Sequence, residues 1–171
     1  MHRGGPLIGL VVCEQGQSLA STASQSGSVF VIRVESSSNK MSPVHSRQLD
    51  LQEEGCAVDL QYLDSGSQSV LVYATLYGAL IGWDLRCPGT AWKLENDLKH
   101  GIITSFCVNN HQQWLTLGTS SGVHICWDLR FQLPISNIKH PTGENFFFFF
   151  MIKNVKRQSN KKYFKSILIT L

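Results

Sequence analysis

Apolar and polar residues alternate in short bursts along this chain, with a period close to two and no sustained helical spacing. The clearest stretch runs from Gln113 to Arg130. Two alternating apolar runs are joined there by a polar turn ending in Gly122, and the stretch closes on Trp127-Asp128-Leu129-Arg130. An earlier stretch, Val70 to Arg86, has the same design, with Gly78 five residues before Trp83 and the ending Trp83-Asp84-Leu85-Arg86. Both read as β-hairpins, in which a turn glycine supplies the positive φ that a tight reversal needs. A degraded third copy comes first: Ser18 to Ser24 and Ser28 to Val34 flank Gly27, and Ile32-Arg33-Val34 stands where the later copies have Trp-Asp-Leu.

Trp83 and Trp127 lie 44 residues apart, within the roughly 40 to 45 residues of one repeat in proteins that carry Trp-Asp endings. Each hairpin is preceded by a further apolar run, at Leu7 to Cys13, Ala57 to Leu63 and Ile102 to Val108. Candidates for a fourth strand follow at Val44 to Leu51, Thr90 to Leu94 and Ile135 to Lys139. Four short strands per repeat define a propeller blade. The expected fold is therefore all-β: an open, partial WD-repeat β-propeller of about three four-stranded antiparallel blades, followed by an irregular C-terminal tail. The blades are expected at about 5–51, 57–99 and 102–140, within a propeller segment 1–141.

Position by position, the turn glycines align Ala23, Ala74 and Gly118 as small strand-end residues, with Ser24, Thr75 and Thr119 just after them. Gly27 and Gly78 are 51 apart, and the surplus is expected in the polar loop Glu35 to Pro43, which reads as surface linker. Trp83 and Trp127 are expected to fill the contact between successive blades. His100 matches the His of the Gly-His pair that opens many WD repeats. In that family the His bonds an Asp just before the turn glycine, but Ser26, Tyr77 and Ser121 stand there, so the network is expected to be absent or rebuilt. The structural signature is Gly27, Gly78, Trp83, Asp84, His100, Gly122, Trp127 and Asp128.

Charge separates the chain into two parts. Residues 142–171 hold six of the 15 Lys and Arg and only one acid, Glu144, leaving nine basic against eleven acidic side chains over 1–141. The repeat region thus has no basic bias toward nucleic acid. Gly143-Glu144 can be encoded by a splice-donor sequence, and the run Phe146 to Phe150 by a run of T. The segment is therefore read as translated intron or a mis-predicted exon, the alternative being a basic-aromatic membrane or nucleic-acid patch. Nothing approaches the roughly 20 apolar residues of a membrane span, so the chain reads as cytoplasmic. The five cysteines, at 13, 56, 87, 107 and 126, form no Cys-x-x-Cys pair and are expected as free thiols on strand faces. No His-x-x-x-His or Glu pairing builds a metal site, and no cofactor is implied.

Longer strings carry a narrower resemblance. Ser65 to Thr75, Gly82 to Arg86, Asp97 to Lys99, Ile103 to Phe106, Leu117 to Gly122 and Arg130 to Ser136 closely resemble the C-terminal WD-repeat domain of the class III phosphatidylinositol 3-kinase regulatory subunit, the Vps fifteen-type protein kinase. The resemblance covers roughly residues 4 to 141. It implies a scaffold whose partners are the lipid-kinase catalytic subunit, Beclin-type coiled-coil subunits and small GTPases, held peripherally on late endosome and autophagosome membranes. No Gly-rich phosphate loop, His-Arg-Asp or Asp-Phe-Gly occurs, so no kinase activity is expected of this chain. A WD-repeat adaptor of another pathway, such as a ubiquitin-ligase substrate receptor, is the alternative. Loops at Gln61 to Gln68 and Thr90 to Asn96 are candidate contacts.

Three blades do not close a ring. An uncovered blade face forgoes roughly 7 kcal/mol at about 25 cal/mol per Å², and two such faces rival a domain's net stability of about 5 to 15 kcal/mol. The isolated chain is therefore expected to be marginal or sticky.

Overall fold

A computed structural model describes residues 7–14, 17–23, 27–35, 37–38, 40–64, 69–87, 89–109 and 113–139. The expected tail 142–171, the positions Ser24 and Ser26, and Ser65 to Gln68 of one candidate loop lie outside the described residues.

The chain folds as an open, partial WD-repeat propeller of three four-stranded antiparallel sheets. The first contains β1 (Leu7–Cys13), β2 (Ser18–Ala23), β3 (Ser28–Glu35) and β4 (Lys40–Gln48). The second contains β5 (Ala57–Asp64), β6 (Ser69–Thr75), β7 (Ala79–Asp84) and β8 (Thr90–Glu95). A 3₁₀ turn at Leu98–His100 leads to the third, β9 (Ile103–Val108), β10 (Trp114–Thr119), β11 (Val123–Asp128) and β12 (Leu133–Lys139). Within each sheet the spatial order follows the chain, so every ladder is made between sequence neighbours.

The middle sheet is buried on both faces, which is why β6 and β7 read as almost unbroken apolar runs. Leu71, Tyr73 and Ile81 face Ala20, Val29 and Val31 of the first sheet in one core. Val72, Leu80 and Leu94 face Phe106, Leu115 and Leu117 of the third sheet in another. Trp83 sits in the first core at 8% exposure, edge-on to His45 with ring centroids 6.0 Å apart. Trp127, partly buried, packs against the second core. Each indole thus lies between its own sheet and the preceding one.

Two details depart from the sequence-based alignment. In the first sheet Thr22, not Ala23, occupies the place of Ala74 and Gly118: Thr22 pairs with Gly9 and Val29, as Ala74 pairs with Asp59 and Leu80. Ala23 pairs with Leu7 as Thr75 pairs with Ala57. Four residues separate β2 from β3 and three separate β6 from β7, which shifts the strand by one position when the glycines are aligned. Nor is the surplus of the first repeat a linker. β3 and β4 are eight and nine residues long against six each for β7 and β8, and Val34↔Met41 and Glu35↔Lys40 extend the ladder through the expected loop. An outer strand with one wet face tolerates Lys40, Ser42 and Pro43, so its composition imitates a loop.

Candidate interaction surface

The Trp-Asp-Leu-Arg endings build the same local ring twice. Asp84 Oδ1 accepts from the Arg86 backbone N–H at 3.0 Å and from Arg86 Nε at 3.0 Å, while Arg86 Nη2 donates to Oδ2 at 2.7 Å. Asp128 repeats this with Arg130 at 2.9, 3.0 and 2.5 Å. The spacing of two brings the guanidinium fork across the carboxylate, the bidentate geometry that Arg favours. The hydrogen bonds from Arg86 hold the Asp84 carboxyl below the usual range, and those from Arg130 bring Asp128 down to about 2. Both aspartates lock the turn into β8 or β12.

At the opposite end of the first two sheets the connection to the next inner strand crosses over the hairpin turn. Gly78 has φ +97°, and a Cβ there would stand 2.5 Å from the carbonyl oxygen of Asn96, whose own N–H donates to Gly78 O at 2.8 Å. Gly27 (φ +56°) plays the same part under Leu49, which donates to its carbonyl at 2.6 Å. Gly122 has φ +71°. Thr75 and Thr119 close the hairpins by accepting from Ala79 N at 3.1 Å and Val123 N at 3.2 Å. His100 is held by other partners than the family's aspartate. Its Nδ1 lies 3.4 Å from Asn96 Oδ1 and its Nε2 3.2 Å from Asn137 Nδ2, while its carbonyl accepts from the Thr119 hydroxyl. A neutral imidazole protonated at Nδ1 satisfies both amides.

His100 also borders a cleft of about 380 Å³ between the second and third sheets. Ile125, Trp127 and Ile135 form its apolar floor, and Glu95, Asp97 and Asn137 are among its polar margins. Trp127 Nε1 is buried without a hydrogen-bond partner. Glu95 and Asp97 are neutralised by Lys93 and Lys99 at 2.9 and 2.7 Å. An apolar floor with polar margins of balanced charge is suited to holding a segment of polypeptide.

Sequence reasoning missed the side chains that join the sheets. The Gln61 amide docks on the backbone of Val108, accepting from its N–H at 3.1 Å and donating to its carbonyl at 3.4 Å, and Asp59 accepts from Phe106 N at 3.3 Å. A polar residue on an inner strand carries no signal of such a bridge until the neighbouring strand is in place. None of the five cysteines is in a disulfide, and burial pushes the Cys13 thiol up to about 11. Among the described residues no group of three or more His, Cys, Asp or Glu is placed to hold a metal, and no helix is long and apolar enough to cross a membrane.

Sheets of four strands, stacked through Trp-Asp indoles and turned at positive-φ glycines, define a WD-repeat propeller segment. The backbone agrees: it superimposes on Chaetomium thermophilum Raptor with a TM-score of 0.64 at 15% identity, covering 81% of this chain and 12% of that one. It also superimposes on a chain of the Mitotic Checkpoint Complex with a TM-score of 0.60 at 18% identity, covering 77% and 38%. No family profile matches the sequence. Its relatives are nevertheless consistent: a probable serine/threonine-protein kinase vps15 of Dictyostelium discoideum is 35% identical over 81% of the chain, and VPS15 of Arabidopsis thaliana is 30% identical over 57%. VPS15 of Saccharomyces cerevisiae is 28% identical over 66%. The chain belongs to the VPS15 family as a fragment of its C-terminal WD-repeat domain. It spans only 7 to 8% of the length of these relatives.

Proposed function

We propose that this chain is a non-catalytic scaffold segment of the regulatory subunit of the class III phosphatidylinositol 3-kinase complex, serving its assembly in autophagy and endosomal trafficking. The observation that carries the reading is the 35% identity to the Dictyostelium VPS15-type relative over 81% of the chain. The propeller segment is taken as residues 1–141, with 142–171 outside the function. Gly27, Gly78, Gly122, Trp83, Trp127, Asp84, Asp128 and His100 act structurally, shaping turns and sheet contacts. The segment presents loops and clefts to protein partners, namely the lipid-kinase catalytic subunit, coiled-coil subunits of Beclin type and small GTPases. It meets late endosome and autophagosome membranes only through the complex.

Affinity capture of the full-length protein containing this segment tests the reading. Lipid-kinase and coiled-coil subunits are expected in the eluate, and cleft substitutions such as Ile135→Asp are expected to deplete at least one of them. Ubiquitin-ligase components in their place would overturn it. A phosphotransfer assay with the 171-residue polypeptide alone is expected to give no turnover.

A further inference from the structure

The two joints between sheets are closed differently. The registers equate Arg47 with Leu94, through their partners Val29 and Leu80, and Thr90 with Pro134, through Trp83 and Trp127. In the first joint Arg47 Nη1 donates to the Thr90 hydroxyl at 2.7 Å, spanning the outer strands β4 and β8, and His45 stands against Trp83. In the second joint neither Leu94 nor Pro134 can hydrogen-bond through its side chain, and among the described residues no side-chain hydrogen bond joins β8 to β12. The cleft of about 380 Å³ opens there, and this chain supplies both of its walls. β12 is the end strand of its sheet and pairs only with β11 among the described residues. Its outer edge borders the cleft, whose lining includes Pro134, Ile135, Ser136 and Asn137. Pro134 has no N–H and a bulge lies beside it, which confines any further pairing to the residues from Ile135 onward. Blades of a ring meet through their faces, so further blades on either side would leave this edge on the circumference.

We infer that β12 and the cleft together take an extended segment of a partner protein, which adds a fifth strand beside β12 and places one uncharged apolar side chain in the cleft. Main-chain hydrogen bonds to the edge hold the segment, and alternation brings every second side chain to the face that Pro134 and Asn137 share with the core. Charge selects the guest. Glu95 and Asp97 are already matched by Lys93 and Lys99, so a charged side chain would enter over Ile125, Trp127 and Ile135 without a counter-ion and would lose its water. Leucine, isoleucine or phenylalanine gains from the same burial. An amphipathic helix, the other shape of guest, would leave the edge of β12 unpaired. The inference rests on the scaffold reading above and specifies the backbone conformation that a partner presents.

Peptide binding to the full-length protein containing this segment tests it. No other subunit is present, so failure here is distinct from failure to capture lipid-kinase subunits. The probes are capped peptides Thr-Val-Thr-X-Thr-Val-Thr, with Leu, Phe, Asp or Lys at X. Leu and Phe are expected to bind about tenfold or more tighter than Asp and Lys. Methylating the backbone nitrogens along the bonding edge of the Leu peptide is expected to weaken it about tenfold or more, with the protein itself unaltered. Hydrogen exchange of the β12 amides is expected to slow on binding while that of β6 is unchanged. Ile135→Asp, at a position 60% exposed, is expected to weaken the Leu peptide about tenfold or more with no change in thermal midpoint. Absence of binding, indifference to X, or indifference to backbone methylation would overturn the inference. So would β12 amides already protected before peptide is added, the result expected if the chain covers its own edge.

Discussion

Trp92 covers Gly82 so closely that a Cβ added to the glycine would stand 2.3 Å from Cε2 of the indole. The two are cross-strand partners on β7 and β8, and the indole packs against the core between the second and third sheets. Gly82 is thus the space into which Trp92 fits. Gly82→Ala is expected to destabilise the chain by about 1–3 kcal/mol through overpacking. Trp92→Ala is expected to cost about 3–5 kcal/mol at most, less for a partly exposed ring. The double variant is expected to be less destabilised than the sum, because the methyl group no longer meets the indole. Denaturant midpoints of the four species check this; simple additivity would dismiss the contact.

The bridge from Gln61 to Val108 ties neighbouring inner strands without extending either sheet. Gln61→Met keeps the length of the side chain and removes both hydrogen bonds, leaving a part-buried N–H and carbonyl unsatisfied. A loss of about 1–3 kcal/mol is expected. Hydrogen exchange locates the effect: the Val108 amide should exchange faster in the variant than in the parent, while amides within β6 keep their protection relative to global unfolding.

Thr119 accepts from Val123 N and donates to the His100 carbonyl, joining its hairpin to the connection that crosses above it. Thr119→Val preserves shape and removes both bonds. The Val123 N–H is buried, so leaving it without its acceptor is expected to cost about 1–3 kcal/mol in thermal unfolding. Thr119→Ser is expected to recover most of it, which a purely steric role for the methyl group would not allow.

Acid should loosen the two Asp-Arg rings. Asp84 and Asp128 titrate below their ordinary value because Arg86 and Arg130 hydrogen-bond the carboxylates. A folded-state pKa below the unfolded one favours folding at pH above the unfolded value, near 3.9, and that contribution is lost as pH falls through the folded value. For Asp128 the window runs from about 4 down to about 2. The pair Asp84→Asn and Asp128→Asn is expected to flatten the fall in the urea midpoint over that range. Because both rings are at the surface, added salt is expected to shrink the difference. An unchanged pH profile would show the rings to be without energetic weight.

The fold was legible where one residue type is needed for one geometry. A glycine at positive φ followed by alternating apolar residues and Trp-Asp marks a hairpin whatever surrounds it, and it marked those at Gly78 and Gly122. Counting was harder. One more residue separates β2 from β3 than β6 from β7, and nothing in the composition announces that extra length, so aligning the glycines sets Ala23 against Ala74 although Thr22 stands there. The outer strand from Lys40 resembled a linker because a strand with one wet face needs no apolar majority. The cleft and the inter-sheet bridges were illegible for another reason: Gln61, Asn96 and Asn137 acquire their roles from partners on strands remote in sequence.

Because each ladder joins only successive strands, no strand ladder among the described residues crosses the stretches between Gln48 and Ala57 or between Glu95 and Ile103. A gene duplicated or interrupted at those points would hand on whole four-stranded units, never half of one. What such a unit loses at its boundary is side-chain packing and a few bridges such as those from Asp59 and Gln61, and its strand ladders survive. The architecture is therefore divisible in a way that a sheet sharing its last strand with its first is not.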